Sequence, residues 1–323
     1  MMATQAHKKY VSQFAMMGTV ISLTLFDHKP ALVERVYDYL QTMTEIFSAN
    51  DDDSTLGQIN RNAGVAPVAV DATTFAFIQR ALAATKKYHD SFNVLIGPLV
   101  KLWKIGFGGQ TVPAKSAIAT SLSRMNPDDV VLDETAHTVF LTQRGMQLDL
   151  GAIAKGYFAD QVKARLQAAG VTSGIVDLGG NVQTWGMNPL AADDQWRIGI
   201  QNPNDTRGNA LLNVVTPAQS FVTSGIRERY FKRDGRTYHH ILDPQTGYPV
   251  RNDLLQVTVI TENSELAEVL STVSFFKGPQ AGQTLIERLP DVEAVFVRRN
   301  GAVELTSGLV PQTKGVYQIV RRK

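Results

Sequence analysis

The sequence predicts an α+β fold: one intertwined body of two lobes, with mixed or antiparallel sheets flanked by helices. Three observations carry this. Short alternating apolar runs are interleaved with helical-period segments along the whole chain rather than sorted into blocks. Turn signals at Asp133-Glu134, Asp234-Gly235 and Asn300-Gly301 sit between paired runs and close antiparallel hairpins. No repeat, low-complexity segment or linker divides the 323 residues, so 1–323 reads as a single domain.

The elements follow in order. Thr19 to Phe26 alternates as a strand, through Val20, Ile21, Leu23 and Leu25. Ala31 to Phe47 has helical spacing, with Leu32, Val36, Leu40 and Met43 on one stripe. Asn50 to Ser54 is a turn that caps a short helix through Leu56 and Ile59. Its three acids, Asp51 to Asp53, are either a metal site or, as such runs more often are, a solvated loop. Asp71 caps a helix reaching His89, and Gly97-Pro98 then interrupts regular structure before Trp103 and a glycine-rich loop at Gly106, Gly108 and Gly109. Pro113 to Arg124 reads as a helix and Val130 to Leu141 as a hairpin.

Gln147 to Asp149 begins a short apolar strand that passes through Gly151 and Gly156 into a helix. Phe158, Val162, Leu166 and Ala169 repeat along that helix before Gly170 closes it. The strand Gly174 to Leu178 follows and ends in Gly179-Gly180-Asn181. Further strands are Trp196 to Ile200, Ala210 to Val215, Gln219 to Val222 and Leu255 to Ile260; Arg229 to Leu242 is a hairpin. Ser264 to Phe276 is a helix capped by Asn263 or Ser264, and Leu285 to Leu305 supplies a helix end and two strands.

Composition bounds the function. A 44% hydrophobic chain supports a real core. A net charge of +2 implies no nucleic-acid partner. The absence of cysteine excludes disulfides, thiolate catalysis, cysteine zinc sites and a lipidated cysteine anchor. Met1 to Tyr10 is polar, with no signal-peptide core, and no apolar run is long enough for a membrane span, so the cytoplasm is the expected location.

Several constellations bear on chemistry. Glycines at both strand ends around the 147–181 stretch let a ligand approach the backbone, and a helix start attracts phosphate. Asp149 and Lys155, unlike charges on one turn, move that stretch from plain crossover toward a ligand site. Glu268 and Thr272 lie four apart on one helix face and offer hard oxygens of the kind Mg²⁺ accepts; an ordinary surface acid beside an incidental threonine has the same spacing. His240 stands at a strand-to-turn junction where a histidine serves as general base or as a structural partner. His239 alternates to the other face, so at most one of the two enters a site. Thr223-Ser224-Gly225 resembles a nucleophile turn and reads better as a phosphate or amide contact through Ser224. Trp103 either stacks on a flat ring or fills core, the commoner use.

Taken together, Met17-Gly18-Thr19, the Gly97-to-Trp103 run, Asp149-Leu-Gly-Ala-Ile-Ala-Lys-Gly156, Asp177-Leu-Gly-Gly-Asn181, Thr223-Ser-Gly225, His240-Ile-Leu-Asp-Pro-Gln-Thr-Gly-Tyr-Pro249 and Leu270-Ser-Thr272 resemble the ApbE family, the FAD:protein FMN transferases, over nearly the whole chain. The resemblance implies an ApbE-like fold and a Mg²⁺-dependent transferase acting on the phosphoric anhydride of FAD. Such an enzyme moves FMN onto a Thr or Ser hydroxyl of an acceptor flavoprotein and releases AMP. It implies catalytic roles for His240, Lys155 and Glu268. Metal ligands would be the Ala152 carbonyl, Glu268 and Thr272. FAD contacts would come from Met17, Asn50, Leu102, Trp103, Asp149, Lys155, Asn181, Ser224, His240 and Ile241. Two departures stand out: Glu268 replaces the usual aspartate, which brings Mn²⁺ in as an alternative ion, and Asn50 replaces a frequent aromatic. An FAD pyrophosphatase yielding FMN and AMP, and a non-catalytic FAD carrier, are the competing readings.

Overall fold

The computed structural model describes residues 8–320; residues 1–7, most of the polar N-terminus read above, lie outside the described residues. The elements are β1 (Tyr10–Met16), β2 (Thr19–Leu25), α1 (Pro30–Phe47), α2 (Thr55–Arg61), β3 (Val68–Ala69), α3 (Ala72–Lys87), α4 (Gly97–Trp103), α5 (Lys115–Leu122), β4 (Val130–Asp133), β5 (Thr138–Leu141), α6 (Ala154–Ala168), β6 (Gly174–Leu178), β7 (Asn181–Trp185), β8 (Trp196–Gln201), β9 (Ala210–Thr216), β10 (Ser220–Gly225), β11 (Tyr230–Arg233), β12 (Arg236–His239), β13 (Leu254–Thr261), α7 (Ser264–Glu287), β14 (Glu293–Arg298), β15 (Val303–Leu305), β16 (Leu309–Thr313) and β17 (Val316–Ile319).

The centre is an eight-stranded sheet in the order β1-β2-β6-β7-β10-β13-β14-β15, antiparallel at every step. A four-stranded sheet, β16-β17-β9-β8, is mixed: β17 runs parallel to β9 and the other pairs are antiparallel. Two small sheets, β3-β5-β4 and the hairpin β11-β12, complete the α+β architecture. β13 is buried along its whole length, because α7 covers one face of the sheet and the four-stranded sheet covers the other. The apolar residues of neighbouring strands divide accordingly: Val257 and Val259 join the helix-side core, while Phe221, Ile260, Val295 and Val297 join the second cluster.

Most sequence expectations for the elements hold, with caps where predicted. Asp71 accepts from the amides of Thr73 and Thr74 at the start of α3, Ser54 from Gly57 at α2, and Asn263 from Leu266 at α7. Three expectations need correction. Gly97-Pro98 opens α4 rather than interrupting structure, because proline's fixed φ suits a first helical turn. Gln147 to Asp149 pairs with no strand. The side chain of Asn60 brackets Leu148, donating to its carbonyl at 3.0 Å and accepting from its amide at 2.7 Å, and the Asp149 amide donates to Val94 O. The expected strand–helix–strand crossover is therefore loop, helix and strand. Finally, α7 continues past Phe276 through a kink at Gly278 (φ 80°, ψ 179°) and Pro279.

Candidate functional site

Strand register brings the turn-borne motifs to one end of the sheet. Met16 pairs with Thr19 across the Met17-Gly18 turn, Ile21 with Leu178, Asp177 with Val182, and Asn181 with Val222. The Met17-Gly18 turn, the Gly179-Gly180 turn and the Ser224 end of β10 therefore share that end. Met17 and Gly18 both adopt left-handed φ, +54° and +69°, a pairing that matches the hairpin twist.

Helices α6 and α7 cross above this end, and Gly156 permits it: a Cβ there would lie 2.3 Å from the Ser264 carbonyl. Asp160 of α6 clamps the start of α7, accepting from the Ser264 amide at 3.1 Å and the Glu265 amide at 2.9 Å, and it also accepts from Gln183 Nε2 at 2.8 Å. The crossing sets Lys155 Nζ 4.0 Å from Glu268 Oε1, which also accepts from Asn181 Nδ2 at 2.9 Å. Asn181 is 1% exposed, and its Oδ1 accepts from Ser264 Oγ at 2.9 Å. Beyond Glu268, Ser224 Oγ lies 2.8 Å from Ser271 Oγ and 3.4 Å from Thr272 Oγ1. Glu268, Thr272, Asn181, Ser224 and Lys155 thus form one cluster.

The electrostatics follow from burial. Glu268 is 6% exposed, and desolvation holds its carboxyl above the usual range, opposed by Lys155 and the Asn181 amide. Burial likewise raises Asp177, against the Gly180 amide, Arg207 and Lys155, and raises Asp149, against the Gly151 amide, Arg229 and Lys101. The charge of Lys155 therefore reaches Glu268, Asp177 and His240 together.

The histidine pair divides as alternation predicts. His239 is 2% exposed; its Nε2 meets Val250 O at 2.9 Å and its ring stands edge-on to Phe275. His240 is half-buried at the end of β12, with Nδ1 3.2 Å from Arg229 O. A carbonyl only accepts, so Nδ1 carries the proton and Nε2 keeps its lone pair. Burial, then the charge of Arg229, lowers His240 to about 4. The Asp243-to-Gly247 stretch of its motif is scaffold: Asp243 accepts from the amides of Gln245 and Thr246, and the Gly247 carbonyl accepts from Trp103 Nε1 at 2.8 Å.

Trp103 is 1% exposed and packs among Phe231, Tyr238 and Tyr248, so its ring fills core and Leu102, half-buried beside it, is the more accessible side chain. Asn50 and Ala152 are exposed, while Met17 and Ile241 are half-buried against the core. Asp51 to Asp53 are exposed, with Asp51 bonded to the Asp53 amide and Asp53 3.9 Å from Arg61. Sequence reasoning assigned no site role to Ser264, read only as a helix cap, to Ser271, read only as part of a motif, or to Arg229; their site contacts arise in the fold.

Among the described residues, no three His, Cys, Asp or Glu side chains gather into a metal cluster. A set of one carboxylate with hydroxyl and carbonyl oxygens is suited to Mg²⁺, which keeps waters and takes further ligands from phosphate. Glu268 meets that description: both its polar side-chain partners are on Oε1, and its desolvated charge favours a nearby cation. Ala152 O accepts no hydrogen bond among the described residues, and Thr272 Oγ1 lies on the adjacent helical turn from Glu268.

Fold and site define an α+β protein that gathers a lysine, a buried carboxylate, hydroxyls and a neutral histidine at the turn-rich end of an antiparallel sheet, a class suited to an anionic ligand. The profile of the ApbE family matches residues 17–296, and the chain belongs to that family. It is similar to an FAD:protein FMN transferase of Klebsiella pneumoniae (strain 342), 40% identical over 93% of each chain. It is also similar to one of Treponema pallidum (strain Nichols), 37% identical over 95% of this chain and 89% of that one. Among solved structures, the ApbE protein of Thermotoga maritima superposes with a TM-score of 0.84 at 29% identity, covering 93% of this chain and 97% of its own. The apo Pseudomonas stutzeri flavinyl transferase ApbE gives 0.81 at 27% identity, covering 95% and 97%. No helix among the described residues is long and apolar enough to cross a membrane.

Proposed function

We propose that this chain is an FAD:protein FMN transferase that uses Mg²⁺, or Mn²⁺, to move FMN from FAD onto a Thr or Ser hydroxyl of an acceptor flavoprotein, releasing AMP. The observation that carries the reading is the joint placement of Lys155, Glu268, Asn181, Ser224 and Thr272 in a chain of this family. The Lys155 ammonium would neutralise pyrophosphate oxyanions, and the first turn of α6, which has no side-chain cap, would offer the amides of Lys155 and Gly156 to the same charge. Glu268, Thr272 and the Ala152 carbonyl would hold the ion, whose bound charge makes the pyrophosphate a better electrophile. His240, neutral with Nε2 free, accepts the proton of the incoming hydroxyl. That oxygen bonds to the FMN phosphorus as the phosphorus–oxygen bond to AMP breaks, so the proton ends on His240 and the electron pair on AMP. Asn181 fixes the Glu268 carboxylate, and Met17, Leu102, Asp149 and Ile241 line the flavin side.

The test is incubation with FAD, Mg²⁺ and an acceptor protein, read by intact mass of the acceptor and chromatography of AMP. The expected result is one FMN phosphoester and stoichiometric AMP, both abolished by EDTA. His240→Ala should keep FAD affinity and lose transfer by roughly a hundredfold. Equal labelling in EDTA, or undiminished transfer by His240→Ala, would sink the mechanism.

A further inference from the structure

Arg229 has no place in the motif reading, yet it joins His240 to the glycine-rich loop. Its carbonyl accepts from the His240 amide at 3.1 Å and faces His240 Nδ1 at 3.2 Å. Its stem lies flat across Gly106, where a Cβ would come 2.3 Å from Arg229 Cδ. Its guanidinium rests 5.3 Å from the ring centroid of Phe107, itself 54% exposed on the glycine-rich loop. Among the described residues Arg229 makes no salt bridge, whereas neighbouring Arg207 pairs with Glu228 and Arg227 donates to Asn204. Arg229 is therefore exposed and pre-ordered by packing, with the buried Asp149 carboxylate within reach of its charge but no salt bridge formed among the described residues, at the edge of a site already lined by Lys155.

We infer that Arg229 is the second cation of the FAD site, standing beside His240 and gripping the phosphate that leaves with AMP. The assignment rests on the FAD-dependent reading above. A planar guanidinium offers two parallel N–H donors to phosphate, whereas Lys155 acts as a point charge. Phe107 and Gly106 hold the fork before the ligand arrives, so little side-chain entropy is lost on binding. The arrangement also couples binding to basicity. The charges that act on His240 are those of Arg229 and Lys155, and both disfavour its protonation; neighbouring His239 is buried, neutral and turned to the other face. An anion bound to those two cations offsets their charge, so His240 becomes a stronger base only once FAD is in place.

The experiment measures binding of FAD, AMP and riboflavin to wild type, Arg229→Gln and Arg229→Lys by calorimetry, with melting curves for each protein. Arg229→Gln should bind FAD and AMP about tenfold or more weakly, with riboflavin unchanged because it lacks phosphate. Arg229→Lys should recover part of the loss. FAD and AMP binding Arg229→Gln as tightly as wild type, with native melting, would overturn the assignment, and so would an equal loss for riboflavin. Failure of wild type to bind FAD at all would instead remove the functional reading on which it stands.

Discussion

On one face of the eight-stranded sheet, Phe221, Ile260, Val295 and Val297 pack beneath the four-stranded sheet as an apolar layer. On the other, the same or adjacent strands present Asn181, Gln183 and Ser224 to α6 and α7, where they bond to Glu268, Asp160 and Ser271. In β7 and β10 the two sets alternate residue by residue, Asn181 beside Val182 and Phe221 three before Ser224, so one backbone serves both purposes. The contrast teaches that the apolar face is built for stability, while the helix-side face retains a desolvated carboxylate that folding alone would not choose.

The sharpest way to break that contrast is Glu268→Gln. A neutral amide ligates poorly, so AMP release should fall about a hundredfold to a thousandfold. The melting temperature should stay level or rise, because burial already disfavours the charged carboxylate and Lys155 keeps solvent access. Metal-titrated AMP release and calorimetric melting check both halves; retained activity with a steep loss of stability would invert the comparison.

Next in size is the converse substitution. Phe221→Ala removes a 3%-exposed ring from the apolar layer and should cost about 3–5 kcal/mol of stability. The folded fraction should bind FAD as wild type does. Denaturant titration and FAD affinity at low temperature measure the two effects; a tenfold loss of affinity would show that the faces are mechanically coupled.

The smallest effect sharpens the contrast within the histidine pair. Burial lowers His239 to about 4. Between its unfolded pKa, about 6.5, and that value the unfolded chain binds more protons, so stability rises with pH across this window. The stabilisation is complete above the unfolded value and is lost as pH falls toward 4, by on the order of 3 kcal/mol for His239. His239→Gln, whose amide can still donate to Val250 O, should make the melting-temperature profile between pH 6.5 and 4 shallower, with the contribution of His240 remaining, without altering transfer at neutral pH. An unchanged profile would remove His239 as the titrating group.

The sequence alone determined what depends on neighbours along the chain. Helices α1, α3, α6 and the first part of α7 follow from apolar spacing, and their caps at Asp71 and Asn263 from residues that satisfy free amides. Alternation separated His239 from His240, and helical spacing placed Glu268 with Thr272, because both depend only on local geometry. The ordered motifs carried the resemblance to the ApbE family, which the match over residues 17–296 establishes.

Only the tertiary structure decided what depends on partners distant in sequence. Strands β1, β3, β7, β16 and β17 lie outside the predicted set because a strand is defined by what it pairs with, such as β17 lying parallel to β9 about a hundred residues earlier. Gln147 to Asp149 looks like a strand, but Asn60 satisfies its backbone in place of one. Trp103 reads as core more readily than as a platform, and only Gly247, Phe231 and Tyr238 closing around it decide the matter. Lys155 reaches Glu268, and Arg229 holds His240, through a helix crossing and a strand junction that no local pattern encodes, since each contact joins segments whose separation only the folded chain removes.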